Sequence, residues 1–242
     1  MRWVNDRTGR FQKRPHYDPA ELDVECEQIV SSFLAERHGR VVFPIATDDL
    51  TVLIERAVGD LDMYADLSGE AGEVEGVTEF LPGQKPRVRI ATALSAPRLE
   101  NRLRTTLTHE FGHAHFHWLL FEQQPSAQLM FPVSKDAQIS KCKRETIVGA
   151  RESDWMEWQA GYACGALLMP ATALRDEVRG FADGRNLPPG KVGTSSSQGM
   201  ALIGCIAGAF QVSRDAARVR LLQRGYMSDG AAASSPSLFQ EF

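Results

Sequence analysis

The sequence predicts an α+β fold: a helical core around a small twisted antiparallel sheet, followed by a C-terminal helical unit resembling a helix-turn-helix. Three observations predict it. Apolar residues recur at helical spacing over much of the chain, one stretch between residues 74 and 94 alternates instead, and a three-residue turn near 211 separates two late helical runs.

Length and composition set the frame. At 242 residues, 43% of them hydrophobic and 24% charged, the chain can bury one core plus a small appended module. A formal charge of -4 gives no overall attraction to nucleic acid or anionic membrane. No apolar run approaches the roughly 20 residues that cross a bilayer, and the first residues lack the apolar segment of a signal peptide. A cytoplasmic protein without membrane contact is expected. Cys26, Cys142, Cys164 and Cys205 form no C-x-x-C pair, and they read as reduced thiols.

The elements follow in order. Residues 1–18 are basic and irregular, and they read as a flexible arm. "PAELDVECEQIVSSFLAERHG" has Leu22, Cys26, Ile29, Val30, Phe33 and Leu34 at helical spacing, with Gly39 as C-cap. "ATDDLTVLIERAVG" predicts a second helix capped by Thr47 or Asp48 and stopped by Gly59. The acidic, glycine-rich segment from Asp60 to Glu79 reads as a solvated loop, because its aspartates lack the register of a calcium loop. "VEGVTEFLPGQKPRVRIATAL" predicts two or three short antiparallel strands around a Pro-Gly turn.

A long helix is expected from about Pro97 to Leu120, with Leu99, Leu103, Leu107, Phe111, Ala114 and Trp118 on its apolar side. Glu122 to Arg151 has no clean period and reads as a long ordered loop, of a length that usually carries function. "SDWMEWQAGYACGALLM" is helical, capped by Ser153 or Asp154 and ended by Pro170. A short helix near Ala173 to Gly180 completes a core domain spanning 19–180. Residues 181–227 form a connection and the C-terminal unit, and 228–242 a disordered tail.

Chemistry concentrates in "LRTTLTHEFGHAHFHW", which holds four of the six histidines. His109, Glu110 and His113 form H-E-x-x-H. On a helix, positions i and i+4 share a face, so two imidazoles reach one zinc ion while Glu110 stands beside it as general base. His113 and His117 have the same spacing and form a rival pair, but no glutamate follows the first of them. His117 cannot join His109 on one ion, because eight residues rise about 12 Å and zinc bonds are about 2 Å long. His115 and His117 therefore read as surface or packing residues, with substrate contact as the sharper alternative.

A hydrolytic site needs a third protein ligand, and Glu122, Glu145, Glu152, Asp154 and Glu157 are the candidate carboxylates. Glu157 stands out for a packing reason. Beyond it lie Ala160, Gly161, Cys164 and Gly165, a strip of small side chains that lets a neighbouring helix come close.

"TLTHEFGH" followed by "MEWQAGYACGALLMP" resembles the ImmA/IrrE family of zinc metallopeptidases, over most of the chain from about Leu22 to Met227. Gly161 and Ala163 stand where that family usually has asparagine and phenylalanine. The resemblance implies His109, His113 and Glu157 as ligands of Zn2+ in a gluzincin-like site, with Glu110 as catalytic base. It also implies cleavage or control of a protein partner, such as a repressor or antitoxin, in stress response, mobile-element induction or toxin–antitoxin regulation. An oxyanion donor is not assignable from the sequence. Tyr162 is near Glu157 in sequence but points another way, which favours core packing.

In "MALIGCIAGAFQVSRDAARVRLLQRGYM" Gln211 stands where a helix-turn-helix usually has glycine, and Arg214, Arg218, Arg220 and Arg224 make the second helix basic. These arginines spread around the helix and the chain is acidic, so a structural or partner-binding role is favoured over DNA binding. The expected function is zinc-dependent peptide-bond hydrolysis in a specific partner. The alternative is a DNA- or partner-binding regulator whose metal is mainly structural.

Overall fold

The computed structural model describes residues 1–70, 73–81, 83–122, 139–143, 154–186 and 190–229. Helix α1 (Pro19–His38) begins at Asp18, whose backbone N–H donates to Glu21 Oε2 at 2.9 Å, and ends at Gly39 with φ 69°. That left-handed cap is the conformation glycine adopts without steric cost. Helix α2 (Thr47–Ala57) has Ala46 and Val58 at its caps, in place of the predicted Thr47 or Asp48 and Gly59. Thr47 is instead the first helical residue, and its hydroxyl donates to Glu100 at 2.8 Å.

The sheet is mixed. Strands β3 (Asp60–Ala65), β4 (Val74–Glu79), β5 (Arg87–Ala91) and β6 (Ile139–Lys143) lie in the order β3-β5-β4-β6. β4 pairs antiparallel with β5 and β6, as an antiparallel sheet requires, but β3 runs parallel to β5. β3 occupies part of the segment expected as an acidic loop. Leu61, Met63 and Ala65 pack inward there while Asp60, Asp62 and Tyr64 alternate with them. The aspartates hid a period-2 pattern by occupying its outward face.

Two 3-10 turns (Thr92–Ser95 and Pro97–Leu99) lead into helix α3 (Glu100–Glu122), which lies across β4 and β5. Helix α4 (Trp155–Leu168) packs along α3, and α5 (Ala171–Asp183) follows after Pro170. Helices α6 (Ser197–Phe210) and α7 (Arg214–Gln223) are joined by a tight turn, in which Gln211 adopts φ 50°. Two-residue strands β7 (Val192–Gly193) and β8 (Met227–Ser228) pair in parallel beside them.

The N-terminal residues, expected as a flexible arm, form an antiparallel hairpin of β1 (Arg2–Asn5) and β2 (Lys13–His16). Aromatic packing accounts for the order. Phe11 meets Phe121 and Trp155 edge-on at 5.3 and 6.2 Å, and the Arg14 guanidinium sits 5.1 Å over the Trp155 ring. Of the loop expected over Glu122 to Arg151, Glu122 instead ends α3 and residues 139–143 form the strand β6; the remainder lies outside the described residues, as do Glu145, Glu152 and 230–242 of the expected tail. Among the described residues, no helix is long and apolar enough to cross a membrane.

Candidate metal centre

α3 carries its reactive residues in the middle of the fold, where α4 covers one side and β4 the other. Leu107, Phe111 and Ala114 fix its orientation by entering the main core. His109, Glu110, His113 and His117 consequently have 0% exposure, together with Thr106. Buried polar groups in such numbers must satisfy one another or hold a ligand.

α4 supplies the facing carboxylate. Asp154 caps it by accepting from the Glu157 backbone N–H at 3.5 Å, which starts the helix three residues before Glu157. The small-residue strip is divided between two neighbours. Ala160 lies on Gly112 so closely that a Cβ at 112 would stand 3.0 Å from the Ala160 Cα. Cys164 faces the same helix, its sulfur accepting from the Thr108 hydroxyl at 3.1 Å, whereas Gly165 makes room for Arg220 on α7.

This approach brings His109, His113 and Glu157 together. Glu157 Oε2 is 3.2 Å from His109 Nε2, Glu157 Oε1 is 3.2 Å from His113 Nε2, and the two Nε2 atoms are 3.1 Å apart. Tetrahedral bonds to zinc of about 2.0–2.2 Å place ligand atoms roughly 3.3 Å from one another; Glu157 meets each imidazole near that distance through a different oxygen, and one donor atom from each residue lies within 4.8 Å of the others. Among the described residues this is the group that could hold a metal ion. His109 Nδ1 is buried and has no hydrogen-bond partner among them, which leaves that imidazole anchored only through the trio.

The electrostatics agree with a ligand set. Burial opposes the Glu157 carboxylate, but the two imidazoles outweigh it and hold the group far below the usual carboxylate range. Burial pushes His109 down, against the pull of Glu157. His113 feels the same burial, but Glu157 and then Glu110 reverse it and raise that residue.

Glu110 turns from the trio's helix toward the sheet. The Thr78 hydroxyl on β4 donates to its Oε2, and the strand backbone presses on it at Gly76. A Cβ at Gly76 would fall 2.5 Å from Glu110 Oε1 and 2.8 Å from its Cγ, so only glycine leaves room for this carboxylate. Neither Thr78 nor Gly76 was singled out by the sequence reading; a glycine inside an otherwise apolar strand was the available signal.

Protein-family models and curated proteins give no match to this chain. The site therefore stands on its own residues.

The remaining candidates fall elsewhere. Asp154 is the cap of α4, and the Tyr162 hydroxyl donates to Asp23 at 3.1 Å in the core. His115 is at the surface, where it pairs with Glu25 at 2.9 Å. His117 differs from the packing role expected of it. Its Nδ1 is 3.1 Å from His113 Nδ1 and its Nε2 is 3.1 Å from Gln159 Oε1, and burial together with neighbouring His113 holds it well below the ordinary histidine range.

Proposed function

We propose that the protein is a zinc-dependent endopeptidase. The observation that carries this reading is the buried trio His109, His113 and Glu157, with donor atoms 3.1–3.2 Å apart and Glu110 one residue away on the same helix. The likeness of its two motifs to the ImmA/IrrE family supports the same reading. Zinc, when bound, supplies Lewis acidity: it acidifies water and polarises a peptide carbonyl.

The chain's own residues do the rest. Thr78 fixes the Glu110 carboxylate against β4, so its basic oxygen has one orientation. Glu110 accepts the proton of the attacking water and returns it to the departing amine, which keeps the total charge constant over the cycle. Burial excludes bulk water from the imidazoles and so strengthens every electrostatic contact among these groups.

The substrate class follows from the family likeness: a protein partner of repressor or antitoxin type. A DNA-binding regulator gains no support from the C-terminal arginines. Arg220 and Arg224 turn inward onto Asp23 at 2.6 and 2.5 Å, Arg214 donates to the Met200 carbonyl at 2.8 Å, and Arg218 pairs with Asp229 at 3.2 Å. The decisive experiment compares Glu110→Gln with the wild type, using the product of the neighbouring gene as substrate. Cleavage should disappear while zinc content stays the same; cleavage by the Gln variant would remove Glu110 from the mechanism, and biological activity that survives the loss of cleavage would sink the peptidase reading.

A further inference from the structure

Behind His113, among the described residues, runs a continuous chain of hydrogen-bonded side chains. The chain ends at an atom with a single possible role. The Pro15 carbonyl, on hairpin strand β2, can only accept, and Gln159 Nε2 donates to it at 3.1 Å. That contact fixes the Gln159 amide, so Oε1 faces His117 and accepts from His117 Nε2 at 3.1 Å. A neutral His117 with its hydrogen on Nε2 has only a lone pair on Nδ1. That lone pair meets His113 Nδ1 at 3.1 Å, so His113 must carry its hydrogen there. Its Nε2 then holds the lone pair, directed at the space shared with His109 and Glu157.

We propose that His117 and Gln159 are positioning residues that select the ligating tautomer of His113. The inference rests on the metal-site reading above. Its physical basis is that a ligating imidazole is oriented, and its basicity set, by what its other ring nitrogen donates to. His117 and Gln159 are 0% and 1% exposed, so water cannot substitute for either link. His117 also meets the Trp155 ring edge-on at 5.4 Å, and Trp155 packs on Phe11 and Arg14 of the N-terminal hairpin. The hairpin therefore holds both the acceptor at the end of the relay and the aromatic wall beside it.

The test has two parts on the full chain. Nitrogen-15 NMR of the metal-free wild type should show a hydrogen on His113 Nδ1, whether or not Nε2 carries one toward Glu157, and His117 protonated at Nε2 alone; a bare His113 Nδ1 or a hydrogen on His117 Nδ1 overturns the proposal. Zinc affinity, measured by chelator competition, should fall by about 10–100-fold in His117→Phe, the scale seen when an outer-shell partner of a ligand is removed. His117→Asn, whose amide oxygen can accept from His113 Nδ1, should recover most of the loss. Gln159→Leu should weaken binding in the same direction, and serves where the Phe variant does not fold. Undiminished zinc affinity in the Phe and Leu variants overturns the proposal while leaving the metal site standing. A wild type that does not bind zinc sinks the metal-site reading instead, and the tautomers then decide the relay alone.

Discussion

Adding one methyl group at Gly112 should disturb both the fold and the candidate metal centre. A Cβ there would lie 3.0 Å from the Ala160 Cα, 3.2 Å from its carbonyl oxygen and 3.4 Å from its Cβ. Carbon atoms pack at about 3.5–4.0 Å, so α3 and α4 must separate by several tenths of an ångström, and the atom in the way is backbone. Replacing a helical glycine with alanine gains about 1 kcal/mol in propensity, while overpacking costs about 1–3 kcal/mol. Gly112→Ala should therefore lose about 1 kcal/mol net. Glu157 lies one turn before Ala160, so the same displacement draws its carboxylate from the imidazoles. Good metal sites hold distances within about 0.2 Å, and zinc affinity should drop about tenfold or more. Gly180 on α5 provides the control, because a Cβ there meets nothing within 4 Å. Gly180→Ala should gain about 0.5–1 kcal/mol and leave zinc binding unchanged. Urea unfolding with constant m-values and chelator competition measure both quantities. If Gly112→Ala is as stabilising as Gly180→Ala and binds zinc normally, helix approach is not what delivers the carboxylate.

Two further substitutions probe the buried charges that join the C-terminal helices to the core. Asp23→Ala strands Arg220, which has 0% exposure, without its carboxylate, and should cost about 3–5 kcal/mol in denaturant unfolding. A loss below about 1 kcal/mol would mean that water reaches the guanidinium. Arg104→Met removes donors from the carbonyls of Ile45, Phe210 and Gln211 and should cost about 2–6 kcal/mol, at about one to three for each of the two buried acceptors, Ile45 and Phe210. An unchanged unfolding midpoint would show those carbonyls solvated in the native state.

Legibility in the sequence followed the range of the physics. Periodicity and capping are local, and they placed α1, α3 and α4 within a few residues, including Gly39 and the Asp154 cap. The H-E-x-x-H spacing is helix geometry written directly, so His109 and His113 were readable, and the strip from Ala160 to Cys164 pointed to Glu157. What escaped depends on contacts between distant segments. Thr78 and Gly76 act on Glu110 across 32 and 34 positions, and Gln159 reaches back 144 to Pro15. The hairpin was missed because its order comes from Phe11 and Arg14 packing on Trp155, which no local pattern records. His117 had a visible signal in its four-residue spacing from His113. That spacing was weighed as a rival metal pair, when what it produces is a hydrogen bond between the two rings.

The C-terminal unit shows in contacts why arginines spread around a helix favour a structural role over a phosphate surface. Arg214, Arg218 and Arg220 lie on α7 and Arg224 caps it, and a guanidinium reaches far enough to turn back into the fold. Arg220 does so completely. It donates to Asp23 and to the Met169 carbonyl, and it passes over the Tyr162 ring at 5.3 Å. Burying such a cation without a carboxylate would cost several kcal/mol, and Asp23, 197 residues earlier, offsets that cost through one oxygen while its other oxygen accepts from Arg224. Arg104 solves the same problem with carbonyl acceptors, Glu100 acting on it only through space. Its acceptors include the last carbonyls of α6, where the helix dipole places partial negative charge, and one of them belongs to Gln211 in its left-handed turn. Because Arg104 lies on α3 five residues before His109, the helix that presents the ligands is also the helix that grips the C-terminal turn. Arg220 and Arg224 thus attach the C-terminal helix to α1 through Asp23, while Arg104 ties the same unit to the helix that carries His109 and His113.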